Sequence, residues 1–96
     1  MKRIYKNQSK LRLTVNTGCN LSGWNTLELR YRKPNGDTGV FDVDILDEEK
    51  GIIYHDFNGE LDQCGTWLIW SYILFDDDRN IVGKTQKFHV CPEEPL

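Results

Sequence analysis

Thr66-Trp67-Leu68-Ile69-Trp70-Ser71-Tyr72-Ile73-Leu74-Phe75 decides how the rest of this 96-residue chain is read. The run is rich in aromatic and branched side chains and contains neither Gly nor Pro, so it reads as a long strand. Alternation puts Trp67, Ile69, Ile73 and Phe75 on one face and Leu68, Trp70, Tyr72 and Leu74 on the other. One apolar face suffices for the core of a small domain. The second face predicts a contact surface, because Trp and Tyr dominate interface hot spots and a monomer seldom exposes a large apolar patch. Coverage by the amino-terminal segment or by long Lys and Arg stems is the competing account.

Outward from this strand, Asp76-Asp77-Asp78-Arg79-Asn80 reads as a polar hairpin loop and residues 81–90 as the returning strand, with Val82, Phe88 and Val90 in register. Upstream, residues 58–65 read as a crossing between sheets, plugged by Leu61. Ile52-Ile53-Tyr54-His55-Asp56-Phe57 is a short strand, and residues 47–51 form the turn before it. Residues 40–46 form one strand in which Phe41, Val43 and Ile45 alternate with Asp42 and Asp44. Lys33-Pro34-Asn35-Gly36-Asp37 is a tight turn, since Pro34 presets φ and Asn35-Gly36 tolerates positive φ. Residues 26–32 alternate Leu27, Leu29 and Tyr31 against Glu28, Arg30 and Arg32, the pattern of a strand with one wet face. Residues 17–23 read as a loop, and Ile4-Tyr5 with Leu11-Arg12-Leu13-Thr14-Val15 as a single interrupted edge strand. About seven strands with turn signals every eight to twelve residues predict an all-β, immunoglobulin-like antiparallel β-sandwich, with residues 1–96 forming one domain.

Composition agrees. Apolar residues make up 39% of the chain, but three Trp, four Tyr and four Phe supply bulk for a core. Cys19, Cys64 and Cys91 are an odd, widely spaced set, which gives neither a disulfide framework nor a zinc pattern and predicts reduced thiols. No apolar run resembles a secretory signal or a membrane span, so a soluble product in the cytosol is expected. The net charge is −3, yet residues 1–34 carry eight cations against Glu28 alone. That is +7 for the first third and −10 for the remainder of the sequence. Such separation favours head-to-tail assembly, unless folding interleaves both signs on one surface.

Chemistry-bearing patterns are sparse. His55 and His89 sit at strand positions without a Ser or Cys partner in sequence, and read as hydrogen-bonded or solvated strand residues. Asp76, Asp77 and Asp78 are consecutive acids and lack the alternating ligands of a calcium loop. Arg12, Arg30, Arg32 and Lys33 surround Tyr31, but alternation turns Tyr31 away from Arg30 and Arg32, and the chain is acidic overall, so nucleic acid is not an expected partner. No catalytic, metal-binding or cofactor-binding residue is assigned, and no cofactor or enzymatic activity is expected.

The order Leu11-x-Leu13, Gly18 and Leu21, Leu27-x-Leu29-x-Tyr31-x-Lys33-Pro34-x-Gly36, Gly51-x-x-Tyr54, Gly65-Thr66-Trp67, Phe75-Asp76-Asp77 and Phe88-x-Val90 resembles small immunoglobulin-like structural proteins of tailed bacteriophages. It is similar to the amino-terminal domain of phage upper baseplate proteins, and the likeness spans nearly the whole chain. It implies a virion-associated structural role in tail, baseplate or capsid, reached through the host cytoplasm during assembly. The chain stops where baseplate proteins continue, and Cys19 and Cys64 do not match the immunoglobulin disulfide. The expected interface residues are Leu68, Trp70, Tyr72 and Leu74. The expected partners are copies of the chain in a homo-oligomer, or another phage structural protein, with no membrane involved. The alternative is a carbohydrate- or peptide-binding module that uses loops at one end of the sandwich, with Trp24 as an exposed stacking residue.

Overall fold

The computed structural model describes residues 4–92; the basic start at Lys2 and Arg3 and the tail from Glu93 lie outside them. The described residues form nine strands and no helix: β1 (Ile4–Tyr5), β2 (Leu11–Asn16), β3 (Trp24–Arg32), β4 (Thr38–Phe41), β5 (Asp44–Asp47), β6 (Ile52–Phe57), β7 (Gly65–Phe75), β8 (Asn80–Val82) and β9 (Gln86–Cys91). They build an immunoglobulin-like β-sandwich of unequal layers. The wide sheet runs β1-β9-β7-β3-β4, with β8 also paired to β7, and the narrow sheet runs β2-β6-β5. All pairings are antiparallel except β1 with β9.

Strand β7 organises the wide sheet. One edge pairs with β3 from Trp24↔Phe75 to Arg32↔Leu68, and the other with β9 along Gly65 to Ile69 and with β8 along Tyr72 to Leu74. Its burial alternates as its sequence does: Trp67, Ile69, Ser71 and Ile73 are buried, and the residues between them are half-buried. The core has two lobes. Trp67 packs with Leu29, Phe41, Phe57, Leu61, Ile69 and Val90, while Leu21, Ile53 and Ile73 fill the other end. The Trp67 indole N–H donates to the Gln63 carbonyl at 2.9 Å, which satisfies its one polar atom inside the core. Leu61 is fully buried beneath the β6–β7 connection, the plug that the sequence suggests.

Three segments depart from the sequence reading, each because alternation survives a change of sheet or a kink. Residues 40–46 are two strands. Phe41 pairs with Leu29 in the wide sheet, Ile45 pairs with Ile53 in the narrow one, and Val43 touches both core lobes at the crossing. Ile4 and Leu11 likewise lie in different sheets, joined by residues 6–10. The returning strand breaks at residues 83–85, where the Gly83 amide bonds to the Ser71 carbonyl at 2.9 Å. Across that break the face parity flips, since Val82 lies opposite Tyr72 and is 60% exposed, whereas Phe88 and Val90 lie opposite Trp67 and Gly65.

The turn at Lys33 closes as its residues dictate, with Gly36 at φ 96° and its amide on the Lys33 carbonyl at 2.9 Å. Gly51 is under a harder constraint. It sits at φ 74°, and a methyl group there would overlap the Cys19 carbonyl oxygen and the Thr17 hydroxyl. Gly59, at φ 85°, has open space around it. Gly51→Ala is therefore expected to cost at least about 2 kcal/mol of unfolding free energy and Gly59→Ala only about 1 kcal/mol. Both should appear as shifts of the urea midpoint at unchanged slope.

Candidate binding cleft

β2 is the long regular edge of the narrow sheet. Its partner β6 runs antiparallel in unbroken register from Leu11↔Phe57 to Asn16↔Ile52. The next residue pair is bonded, with the Thr17 amide and hydroxyl on the Gly51 carbonyl at 2.8 and 2.7 Å. Bonded and non-bonded pairs alternate along an antiparallel ladder, so the peptide groups of Leu11, Leu13 and Val15 face β6 and those of Arg12, Thr14 and Asn16 face away. Among the described residues no strand pairs with that outward side.

The other edges are blunted in the ways that natural sheets use. β1, β8 and β4 hold two, three and four residues. β5 shifts register between Ile45 and Asp47 and carries Asp44 and Asp47. β2 has one such device on its outer face, where Arg12 forms a bidentate pair with Asp56 at 2.7 and 3.0 Å and stacks over Tyr54 at 4.2 Å. Hydrogen bonding to Asp56 holds the Arg12 guanidinium above its ordinary value, and the same bond draws the Asp56 carboxyl below its own. An exposed pair of this kind orders two side chains and contributes little stability.

On the inner side, the mismatch in layer width leaves a cleft of about 420 Å³ between β2 and the wide sheet. Leu13 and Val15 form one wall, Leu29, Ile69 and Ser71 the floor, and Gly83, Lys84 and Gln86 the far rim. The inward row of β2, Leu11, Leu13 and Val15, is half-buried for lack of a fourth strand beside it. Ser71 is the one buried polar residue among those described, at 4% exposure.

Of the residues singled out from sequence, Trp70 borders the cleft and the others lie elsewhere. Leu68, Trp70, Tyr72 and Leu74 share the outer face of β7 and all are half-buried. Arg30 caps Tyr72 at 3.9 Å from the ring centre and is itself held by Glu28 at 3.0 Å, while Lys87 stands opposite Leu68. The Arg30 stem thus covers Tyr72, while Leu68 and Trp70 line a shallow depression with Arg32, Val82 and Thr85. Trp24 is 42% exposed opposite Phe75, at the sandwich end that holds the Asp76–Asp77 loop and an open depression of about 570 Å³. Asp77 faces Arg79 at 3.6 Å, and no group of three potential metal ligands occurs among the described residues. His89 is exposed. Cys19, Cys64 and Cys91 carry free thiols.

His55 is locked between Phe41 and Phe57 with its Nδ1 on the Asp42 carbonyl and its Nε2 on Glu60, both at 2.5 Å. Glu60 also accepts from the Asn58 amide. Burial pushes the Glu60 carboxyl up, but the Asn58 amide and the His55 ring together outweigh it and leave the carboxyl below its ordinary range. A carboxyl lowered in the folded state contributes stability above its unfolded value, and that contribution is lost as pH falls through the folded value. Glu60→Gln should therefore flatten the acid side of the stability profile relative to the parent, measured as urea midpoints between about pH 7 and pH 3.

Sequence reading passed over the cleft. Its signals were present as a lone Ser in the inner row of β7 and a Gly interrupting the returning strand, but an edge becomes visible only once strand order is known. No protein-family profile matches the chain, and no curated protein matches it. Among solved structures the chain is similar to CopC from Methylosinus trichosporium OB3b, with a TM-score of 0.60 and 14% identity over 98% of this chain and 88% of that one. The likeness is one of fold. It overturns the expectation of a phage virion structural protein, because CopC, a solved structure that this sandwich matches, is not a phage component.

Proposed function

We propose that the protein is a non-catalytic binding module that takes an extended polypeptide segment as a fourth strand of its narrow sheet, along the free edge of β2. The observation that carries this reading is the coincidence of unpaired backbone with unsealed core. Arg12, Thr14 and Asn16 direct their amides and carbonyls outward, and the adjoining inward row of Leu11, Leu13 and Val15 is half-buried. A strand placed there would satisfy the first through main-chain bonds and complete the second through every other side chain, which is the logic of β-addition. The reading uses no cofactor and no catalytic group.

A suitable probe is a nine-residue peptide with valine at three alternate central positions, glutamine between them and glutamate at both ends. Titrated to about 1 mM, where even weak association registers, it is expected to slow hydrogen exchange at the Arg12, Thr14 and Asn16 amides. Thr14→Pro removes an outward donor and leaves the β6 ladder intact, a placement that edge strands tolerate. It should abolish binding while the urea midpoint changes little. Unchanged exchange at those three amides would overturn the reading, as would a dimer dissolved by Thr14→Pro, which assigns the edge to a second copy of the chain.

A further inference from the structure

We infer that the cleft selects its peptide by one side chain, a hydroxyl- or amide-bearing residue at the central inward position, which Ser71 recognises. The inference rests on the strand-addition reading and adds the chemistry of its specificity. Ser71 stands midway along the inner row of β7, between Ile69 and Ile73 and across from Leu29. Every other residue of that stretch that faces the core is apolar, so a hydroxyl there calls for a partner. Among the described residues the Ser71 backbone carbonyl has one, the Gly83 amide. The hydroxyl makes no hydrogen bond in the described structure, yet it is not a sealed, unsatisfied atom, because no such atom occurs among the described residues. The atom therefore keeps some access to solvent, and Ser71 is among the residues that line the cleft.

Gly83 maintains that access. Any side chain on Gly83 would meet the Ser71 hydroxyl, so the break between β8 and β9 runs beside Ser71 as bare backbone. A strand added to β2 sends alternate side chains into the cleft, toward Leu13, Val15, Leu29 and Ile69. Those surroundings favour apolar residues at the flanking inward positions. At the centre an apolar residue would leave the Ser71 hydroxyl desolvated and unpaired, whereas Ser, Thr or Asn would pair with it. Lys84, the one charged residue of the lining, adds a preference for an acidic residue near that rim.

The test compares two peptides, the valine probe above and the same peptide with threonine at its central inward valine, against the parent protein and Ser71→Ala. Threonine and valine are nearly equal in shape, so the comparison isolates the hydroxyl. In the parent the threonine peptide should bind about tenfold more tightly, the worth of one satisfied buried hydrogen bond. In Ser71→Ala the order should reverse or level, and the valine peptide should bind at least as well as it does to the parent. Equal binding of both peptides by the parent, with the edge amides protected in each case, overturns the role of Ser71 and leaves strand addition standing. Binding of neither peptide overturns both. A Gly83→Ala variant supplies a second reading, since displacing the hydroxyl should abolish the threonine preference without removing it from the chain.

Discussion

The inner row of β7 packs against a layer too narrow to cover it. Trp67, Ile69, Ser71 and Ile73 run the length of a wide sheet, while β2, β6 and β5 oppose it with three strands. Where the layers overlap, Trp67 and Ile73 are buried completely, and Leu61 and Leu21 plug the sandwich beside them. Beyond the overlap, the side chains of β2 have floor beneath them and no lateral neighbour. Stability thus comes from two dense lobes, and the open flank is the region in which burial remains incomplete.

Electrostatics reinforces this division. The Arg12–Asp56 pair dresses the outer surface of β2 and Arg30–Glu28 the outer surface of β3, so each sheet presents ordered charge to water. The hydrogen bond between His55 and Glu60 ties β6 to the connection leading into β7, next to the point where the chain leaves the wide sheet at Asp42. It fastens the sheet crossing and takes no part in the cleft. The basic excess of the first third is also dispersed: Arg12 and Lys33 face acids from later segments, Asp56 and Asp62.

Much of the architecture was legible in the residues. The ten-residue run from Thr66 showed its core face through the placement of Trp67, Ile69 and Ile73. The Lys33 to Asp37 turn announced itself through Pro34 and Gly36, and Leu61 stood out as an apolar residue in a polar crossing. What stayed hidden was the assignment of strands to layers. Phe41, Val43 and Ile45 keep a perfect period of two while passing from one sheet to the other, and nothing in such a period marks the crossing. The parity flip between Val82 and Phe88 depends on a three-residue kink whose only trace is Gly83. The cleft needed both pieces of information, because a free edge is a property of strand order and a lone Ser71 gains meaning only beside it.

The parallel ladder between β1 and β9 joins the first described strand to the last, with the Lys6 amide on the Cys91 carbonyl. During vectorial synthesis β1 has no seat until β9 has emerged, so this edge of the wide sheet closes only after every other strand of the sandwich has been made. That closure brings Ile4 against Val90 and Tyr5 against Cys91, the kind of distant pairing that slows all-β domains. Until then the growing polypeptide holds β7 with β9 missing, and its greasiest strand has a bare flank along Gly65 to Ile69.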